Sequence, residues 1–173
     1  MKVFKFGGAS VRDAAGIRNV ATILRRFSSE NLAVVVSAMG KTTNALEDLT
    51  RAYAKGKGDK DAILAKIHED HIKEMDDLFE NNRNHPVYAA VAEVFSGIQK
   101  RFDVTASANY DLVYDQIVSQ GEFISSVIVS HYMNAQGIEN TWYDARTIIR
   151  TDSTFREGKV DWEIGRASCR ERV

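Results

Sequence analysis

The chain has 173 residues, 44% of them hydrophobic and 27% charged, which is typical of a soluble globular protein with a sizeable core. Its 23 Lys and Arg residues nearly balance its 24 Asp and Glu residues, which argues against nucleic acid or an anionic membrane as a partner. The sequence has no membrane-span run, no signal-peptide pattern and a single cysteine, Cys169. We therefore expect a cytoplasmic protein without an internal disulfide.

The first 37 residues predict a β-α-β unit. Lys2–Phe6 is a short β-prone run that stops at a pair of glycines. Apolar residues at helical spacing then predict a helix over 11–27, with Ser10 as its N-cap. The continuous apolar run 32–37 predicts a strand covered on both faces, as in a parallel sheet. A right-handed crossover between parallel strands is the expected connection.

The middle of the chain is predicted to be helical, and the end to contain a further strand. The predicted strand is 140–144, followed by a short helix or turn at 145–149. The fold class is therefore α/β, with a helical insertion between early strands. The predicted helices cover about 44–55, 59–81, 86–102 and 110–136, and the last of them contains Gly121.

The glycine pair after the first strand is a candidate phosphate-binding loop. Gly7 and Gly8 allow the backbone to approach a ligand closely, and a helix N-terminus offers N–H groups suited to phosphate. Lys5, at the end of the strand, is placed to reach the same phosphates. The pattern is neither a P-loop nor a dinucleotide fingerprint. The alternative is an ordinary tight turn beside a surface lysine, and the position of Lys5 favours phosphate.

A second candidate segment, 37–44, follows the next predicted strand. Ligands in open α/β sheets bind beyond the carboxyl ends of the strands, where small hydroxyl side chains can contact a polar substrate. The alternative is that Thr43 or Asn44 only caps the following helix, and both roles are compatible.

A third candidate is Glu122, which follows a glycine inside a predicted helix. Gly121 costs helix stability and so indicates a bend or close packing. A carboxylate beside such a break can bind an amino group, although a solvated surface glutamate is the commoner reading of such a residue.

Together these segments resemble the aspartate kinase branch of the amino acid kinase family. The family's opening is Lys-Phe-Gly-Gly-Thr-Ser-Val, and this chain departs from it at Ala9, which removes a hydroxyl group. The similar segments are Lys5–Val11, Val35–Ala38 with Thr43-Asn44, Gly121–Ser125, and the run Trp142–Asp152.

The resemblance implies a three-layer sandwich around a mainly parallel sheet, truncated in this chain. It implies that Lys5 is catalytic, and that aspartate contacts Ser37, Thr43 and Glu122, with Glu122 facing the ammonium group. The implied ATP site consists of Lys5, Phe6, Gly7, Gly8, Ala9 and Ser10. No residue is assigned to a metal.

The implied reaction transfers a phosphoryl group from ATP, with Mg²⁺, to the side-chain carboxylate of L-aspartate. The product, aspartyl phosphate, leads toward lysine, threonine and methionine. A carboxylate is already ionised at neutral pH, so no general base is needed. The parent enzyme is expected to be a homo-oligomer. Alternatives are an acetylglutamate, glutamate or uridylate kinase of the same family, a non-catalytic small-molecule-binding module, or a fusion to homoserine dehydrogenase.

The end of the sequence departs from the family pattern. The family's Gly-Arg-Gly-Gly-Ser-Asp motif and its ACT domains are not present. We therefore expect residues 1–163 to be the N-terminal part of a catalytic domain. Residues 164–173 resemble translated sequencing adapter and are expected to be a non-native tail. On this view the chain alone is inactive and is poorly folded or aggregates.

Overall fold

The structure, a computed structural model, describes residues 1–56, 58–103 and 109–162. The expected non-native tail, 164–173 with Cys169, lies outside the described residues. No helix in the described ranges is both long and apolar enough to cross a membrane. The elements in chain order are β1 (Lys2–Phe6), α1 (Ala14–Arg25), β2 (Leu32–Val36), α2 (Thr42–Lys55), α3 (Lys60–Leu78), α4 (Pro86–Asp103), α5 (Tyr110–Val118), α6 (Gln120–Ala135) and a 3₁₀ turn (Ala145–Thr147).

The two strands form a parallel pair, as the β-α-β pattern predicts. The register runs from Lys2 opposite Leu32 to Phe6 opposite Val36. One face of this sheet packs against the helical core through Phe4, Phe6, Leu32 and Val36. The prediction that β2 is covered on both faces is wrong for the described residues, because Val34 and Val35 are 38% and 51% exposed.

Helix α1 begins later than the sequence predicts, at Ala14 rather than near residue 11. Its N-cap is Asp13, whose carboxylate accepts the N–H of Gly16 at 2.8 Å, and not the predicted Ser10. The N–H of Ser10 instead donates to the carbonyl of Gly7, so the chain turns once more before the helix starts. An aspartate is as good an N-cap as a serine, so local preference alone does not choose between them.

The helices after β2 supply most of the core. Helix α3 buries a stripe at helical spacing, and α4 begins at Pro86, which suits the first turn of a helix. The predicted helix over 110–136 is instead two helices divided at Ser119, so that Gly121 lies in the first turn of α6. The largest fully buried side chains of the core include Ile17, Leu46, Leu49, Met75, Ile98, Ile117, Ile124 and Ile128.

The predicted strand over 140–144 is absent from the structure, which assigns that described segment no regular element. Its first residue is held by α6 and not by another strand. The side chain of Asn134 accepts the N–H of Asn140 at 3.0 Å, and the side chain of Ser130 donates to Asn140 Oδ1 at 2.7 Å. The short turn predicted after this segment is confirmed as the 3₁₀ turn.

Candidate functional site

The carboxyl ends of β1 and β2 lie side by side, which brings the first two candidate segments together. The N–H of Ser37 donates to the carbonyl of Phe6 at 3.0 Å, so each strand enters its loop at the same edge of the sheet. Lys5 is exposed at this edge. Phe6 is 9% exposed and packs in the core, so only its backbone is available to a ligand.

The glycine loop after β1 packs tightly against the loop after β2, residues 37–41, called here the β2–α2 loop. A Cβ added to Gly8 would lie 2.8 Å from the carbonyl oxygen of Ala38 and 3.6 Å from that of Gly40. A Cβ added to Gly7 would meet nothing within 4 Å. Gly8 is therefore needed for packing between the two loops, while the backbone at Gly7 is open to an incoming group.

Two amides in the first turn of α1 are already bonded within the protein and are not free donors for phosphate. The N–H of Ala14 donates to the carboxylate of Glu74 at 2.7 Å, and that of Gly16 to Asp13. This N–H of Gly16 holds the pKa of Asp13 below its usual value. Within the described part of the chain, the N–H groups of Gly8 and Ala9 carry no hydrogen bond, so these two loop amides are candidate donors.

Exposed polar surface surrounds this loop. Ala9 and Ser10 are both exposed and line a cavity of 330 Å³, together with Arg12 and Asp13. The guanidinium of Arg12 is paired with the carboxylate of Asp13 at 3.0 Å. Lys5 carries an exposed positive charge, and backbone amides donate hydrogen bonds; both are features that attract anionic groups such as phosphate.

The third candidate segment also reaches the β2–α2 loop. A Cβ added to Gly121 would lie 3.0 Å from Ala38 Cβ, 3.2 Å from Leu46 Cδ1 and 3.4 Å from Thr42 Cγ2. The sequence-based prediction of close packing at Gly121 is therefore confirmed. Glu122, the next residue, is exposed in the first turn of α6.

The first hydroxyl residue of α2, Thr42, has a structural role. Thr42 is buried, and its hydroxyl lies 3.3 Å from Nε2 of His71, whose Nδ1 lies 2.7 Å from the carbonyl of Ile67. This pairing fits a neutral imidazole that donates from Nδ1 and accepts from Thr42. Burial lowers the pKa of His71 and so favours that neutral form.

Thr43 and Ser37 remain half-buried beside this loop. The suggestion that Thr43 or Asn44 caps α2 is wrong, because the N-cap is Lys41 and no side chain caps the helix. The side chains of Thr43 and Ser37 are therefore not needed to start α2.

Ser125 is a residue of the site to which the sequence analysis gave no role. It is fully buried, and its hydroxyl accepts the N–H of Met39 at 2.7 Å while donating to the carbonyl of Gly121 at 2.8 Å. The only sequence signal was its place at the end of the Gly-Glu-x-x-Ser segment.

A larger cavity of 440 Å³ lies between α4 and α6 and is lined in part by Gln120 and Phe123, the neighbours of Gly121 and Glu122. Phe123, Trp142 and Arg146 form one wall, and none of the predicted site residues lines it. The described residues contain no cluster of side chains suited to hold a metal ion. The candidate site is therefore the junction of the glycine loop, the β2–α2 loop and the start of α6.

A parallel strand pair with an exposed lysine near the end of its first strand, followed by a glycine turn, is an architecture suited to a phosphate-transferring enzyme. The model of the amino acid kinase family matches residues 1–172, and the chain belongs to that family. Among its relatives, Aspartokinase 1, chloroplastic, of Arabidopsis thaliana is 34% identical over 164 residues, covering 91% of this chain and 28% of the relative. The aspartokinase of Chlamydia muridarum is 30% identical over 161 residues, covering 92% of this chain and 33% of the relative.

The fold is also similar to solved aspartokinases. Escherichia coli aspartokinase III in complex with lysine and aspartate superposes with a TM-score of 0.85 at 23% identity, covering 99% of this chain and 37% of that one. The same enzyme in complex with aspartate and ADP gives a TM-score of 0.84. This confirms the predicted α/β amino acid kinase fold. The chain spans about a third or less of the length of the relatives named here.

Proposed function

We propose that this chain is the phosphate- and aspartate-binding part of an aspartate kinase. The observation that carries the proposal is the convergence of three separate segments on one edge of the sheet. Gly8 and Gly121 both lie close to Ala38 of the β2–α2 loop, which supports a shared site for Lys5, Thr43 and Glu122. The aspartokinase relatives, and the aspartate and ADP in the solved complexes, support the same conclusion.

The chemistry follows from these side chains. Transfer of a phosphoryl group needs alignment and neutralisation of charge more than acid–base work. In the proposed complex, Lys5 and the amides of Gly8 and Ala9 hold the phosphates of ATP, and Lys5 stabilises negative charge on the group in transfer. Glu122 pairs with the ammonium group of aspartate, while Ser37 and Thr43 bind its polar atoms.

Aspartate itself is the nucleophile. Its side-chain carboxylate has an ordinary pKa near 4, so it is ionised at neutral pH and attacks without a base. Mg²⁺ would arrive bound to ATP, where it would neutralise phosphate charge. The product, aspartyl phosphate, would be the first intermediate toward lysine, threonine and methionine. A cytoplasmic location, a homo-oligomeric enzyme and a catalytic domain that includes residues 1–163 belong to the same proposal.

The exposed carboxylate of Glu122 favours aspartate over acetylglutamate within the family. Acetylglutamate carries an amide where aspartate carries an ammonium group, so it offers no positive charge to Glu122. A panel of aspartate, glutamate, acetylglutamate and uridylate, assayed with the full-length gene product, tests this directly. We expect turnover with aspartate only.

The decisive substitution is Lys5→Ala in the full-length gene product. We expect kcat for aspartate-dependent ADP release to fall by about 100-fold or more, because a charge that stabilises the transferring group is lost. Lys2→Ala is the matched control, since Lys2 lies on the same strand and its ammonium pairs with Glu30. Near-normal turnover by Lys5→Ala would rule out its catalytic role. Nucleotide binding without turnover by the unmodified protein would instead favour a non-catalytic binding module.

A further inference from the structure

The hydroxyl of Ser125 connects two parts of the chain that are distant in sequence. Met39 and Ser125 are 86 residues apart, yet the N–H of Met39 donates to Ser125 Oγ at 2.7 Å. The same hydroxyl donates to the carbonyl of Gly121 at 2.8 Å, one turn earlier in α6. One buried side chain therefore joins the β2–α2 loop to the first turn of α6.

A steric contact reinforces this connection. Gly121 lies so close to Ala38 that a Cβ in its place would be 3.0 Å from Ala38 Cβ. Ser125 is 0% exposed and Met39 is 4% exposed, so water cannot easily replace the bond between them. If the hydroxyl is removed, the N–H of Met39 is left buried without a partner, and the loop must move to satisfy it.

We infer that Ser125 is a positioning residue for the amino-acid substrate, holding Glu122 at a fixed distance from Ser37 and Thr43. The inference rests on the proposed function, because it assigns those three side chains to aspartate. Glu122 follows Gly121 directly, while Ser37 and Thr43 flank the segment that contains Met39. The only group that bonds both segments at this point of the described structure is the Ser125 hydroxyl.

The proposed ATP-binding part of the site is held by a different hydrogen bond, so it should be less sensitive than the aspartate-binding part to loss of the Ser125 hydroxyl. The end of β1, where the glycine loop begins, is held by the bond from Ser37 N–H to the carbonyl of Phe6, a backbone contact that does not involve Ser125. Loss of the Ser125 hydroxyl should therefore disturb aspartate binding more than ATP binding.

The test is Ser125→Ala in the full-length gene product, with KM measured separately for aspartate and ATP. We expect KM for aspartate to rise roughly tenfold or more, and KM for ATP to stay within about twofold, because misplacement of a binding group penalises its own substrate. The matched control is Ser126→Ala. Its hydroxyl accepts from Trp142 Nε1 and donates to the carbonyl of Phe123, away from the β2–α2 loop.

Ser125→Cys provides a second test in case Ser125→Ala does not fold. A thiol of similar size is a weak acceptor, so it should fold and give a KM for aspartate between those of the wild type and Ser125→Ala. A wild-type protein that phosphorylates aspartate, with Ser125→Ala and Ser125→Cys matching Ser126→Ala, would overturn this inference and leave the proposed function intact. Equal rises in both KM values would indicate a merely structural role and would also overturn it. A wild-type protein without aspartate-dependent turnover would overturn the proposed function first.

Discussion

Gly7 and Gly8 are adjacent in the sequence, but they have different surroundings in the structure. The backbone of Gly8 is pressed against the carbonyl oxygens of the β2–α2 loop, whereas Gly7 faces open space. The resemblance to a phosphate loop treats both glycines alike. Only the tertiary contact reveals that one of them is required by a neighbouring loop and the other is free to face a ligand.

This difference predicts that alanine destabilises the protein at Gly8 but not at Gly7. Gly8→Ala should lower the thermal midpoint of the full-length gene product, because its Cβ would overlap the carbonyl oxygen of Ala38 and force the backbone apart. Gly7→Ala should change the free energy of unfolding by no more than about 0.5 kcal/mol and so leave the thermal midpoint nearly unchanged. Thermal unfolding followed by circular dichroism measures both. Equal midpoints for the two variants would contradict the packing role of Gly8.

At the scale of elements, the start of α1 depends on a helix far away in the chain. Glu74 of α3 accepts the N–H of Ala14 across a separation of 60 residues, and Arg18 of α1 pairs with Asp77 of α3 at 2.8 Å. These contacts fix α1, and with it the glycine loop that precedes the helix. Neither partner is visible in the local pattern around residue 14.

Glu74→Ala should therefore destabilise the protein by about 1–2 kcal/mol, because a helix-terminal N–H loses a charged acceptor. Urea unfolding of the full-length gene product measures the change. Glu69→Ala is the control, since Glu69 is exposed on the same helix. Glu74→Gln should recover part of the loss through its amide oxygen. A Glu74→Ala protein as stable as Glu69→Ala would contradict this capping role.

The elements that were predicted correctly are those with a strong local signal. The parallel strand pair and the start of α4 at Pro86 follow from β-branched runs and from the backbone geometry of proline. The wrong predictions concern positions where contacts with distant residues determine the local structure. Examples are the Asp13 N-cap of α1 and the irregular segment at 140–144. The three candidate segments were predicted from local patterns and from the family resemblance, but the Ser125 hydrogen bond joins residues too distant for any local pattern to pair.

At the scale of the whole molecule, the histidines give stability a common pH dependence. The chain has four histidines, all in the described residues, and burial lowers the pKa of each: His68, His71, His85 and His131. A lowered pKa in the folded state means that the unfolded chain binds protons more readily. Stability contributed by the neutral imidazoles is complete above about pH 6.5 and is lost as pH falls toward the folded-state values.

The pH dependence of stability can be tested at His71 by comparing the wild type with His71→Gln. At pH 7 the wild type should be more stable than His71→Gln, because it keeps the Thr42 and Ile67 contacts. Between about pH 6.5 and 5 that advantage should shrink, by at most about 1.4 kcal/mol per pH unit. Urea unfolding at several pH values measures it. A constant difference from pH 7 to 5 would show that His71 does not titrate on unfolding.

The uncovered valines of the two-stranded sheet have a consequence for how the protein behaves in concentrated solution. Val3, Val34 and Val35 are between 38% and 63% exposed, on a pair of parallel strands that has no further strand beside it in the described residues. An apolar strand with unpaired backbone groups is a template on which a second chain can add its own strand. If these valines are left uncovered, molecules should associate through the sheet as protein concentration rises. Concentration-dependent light scattering therefore tests whether the sheet is covered in solution.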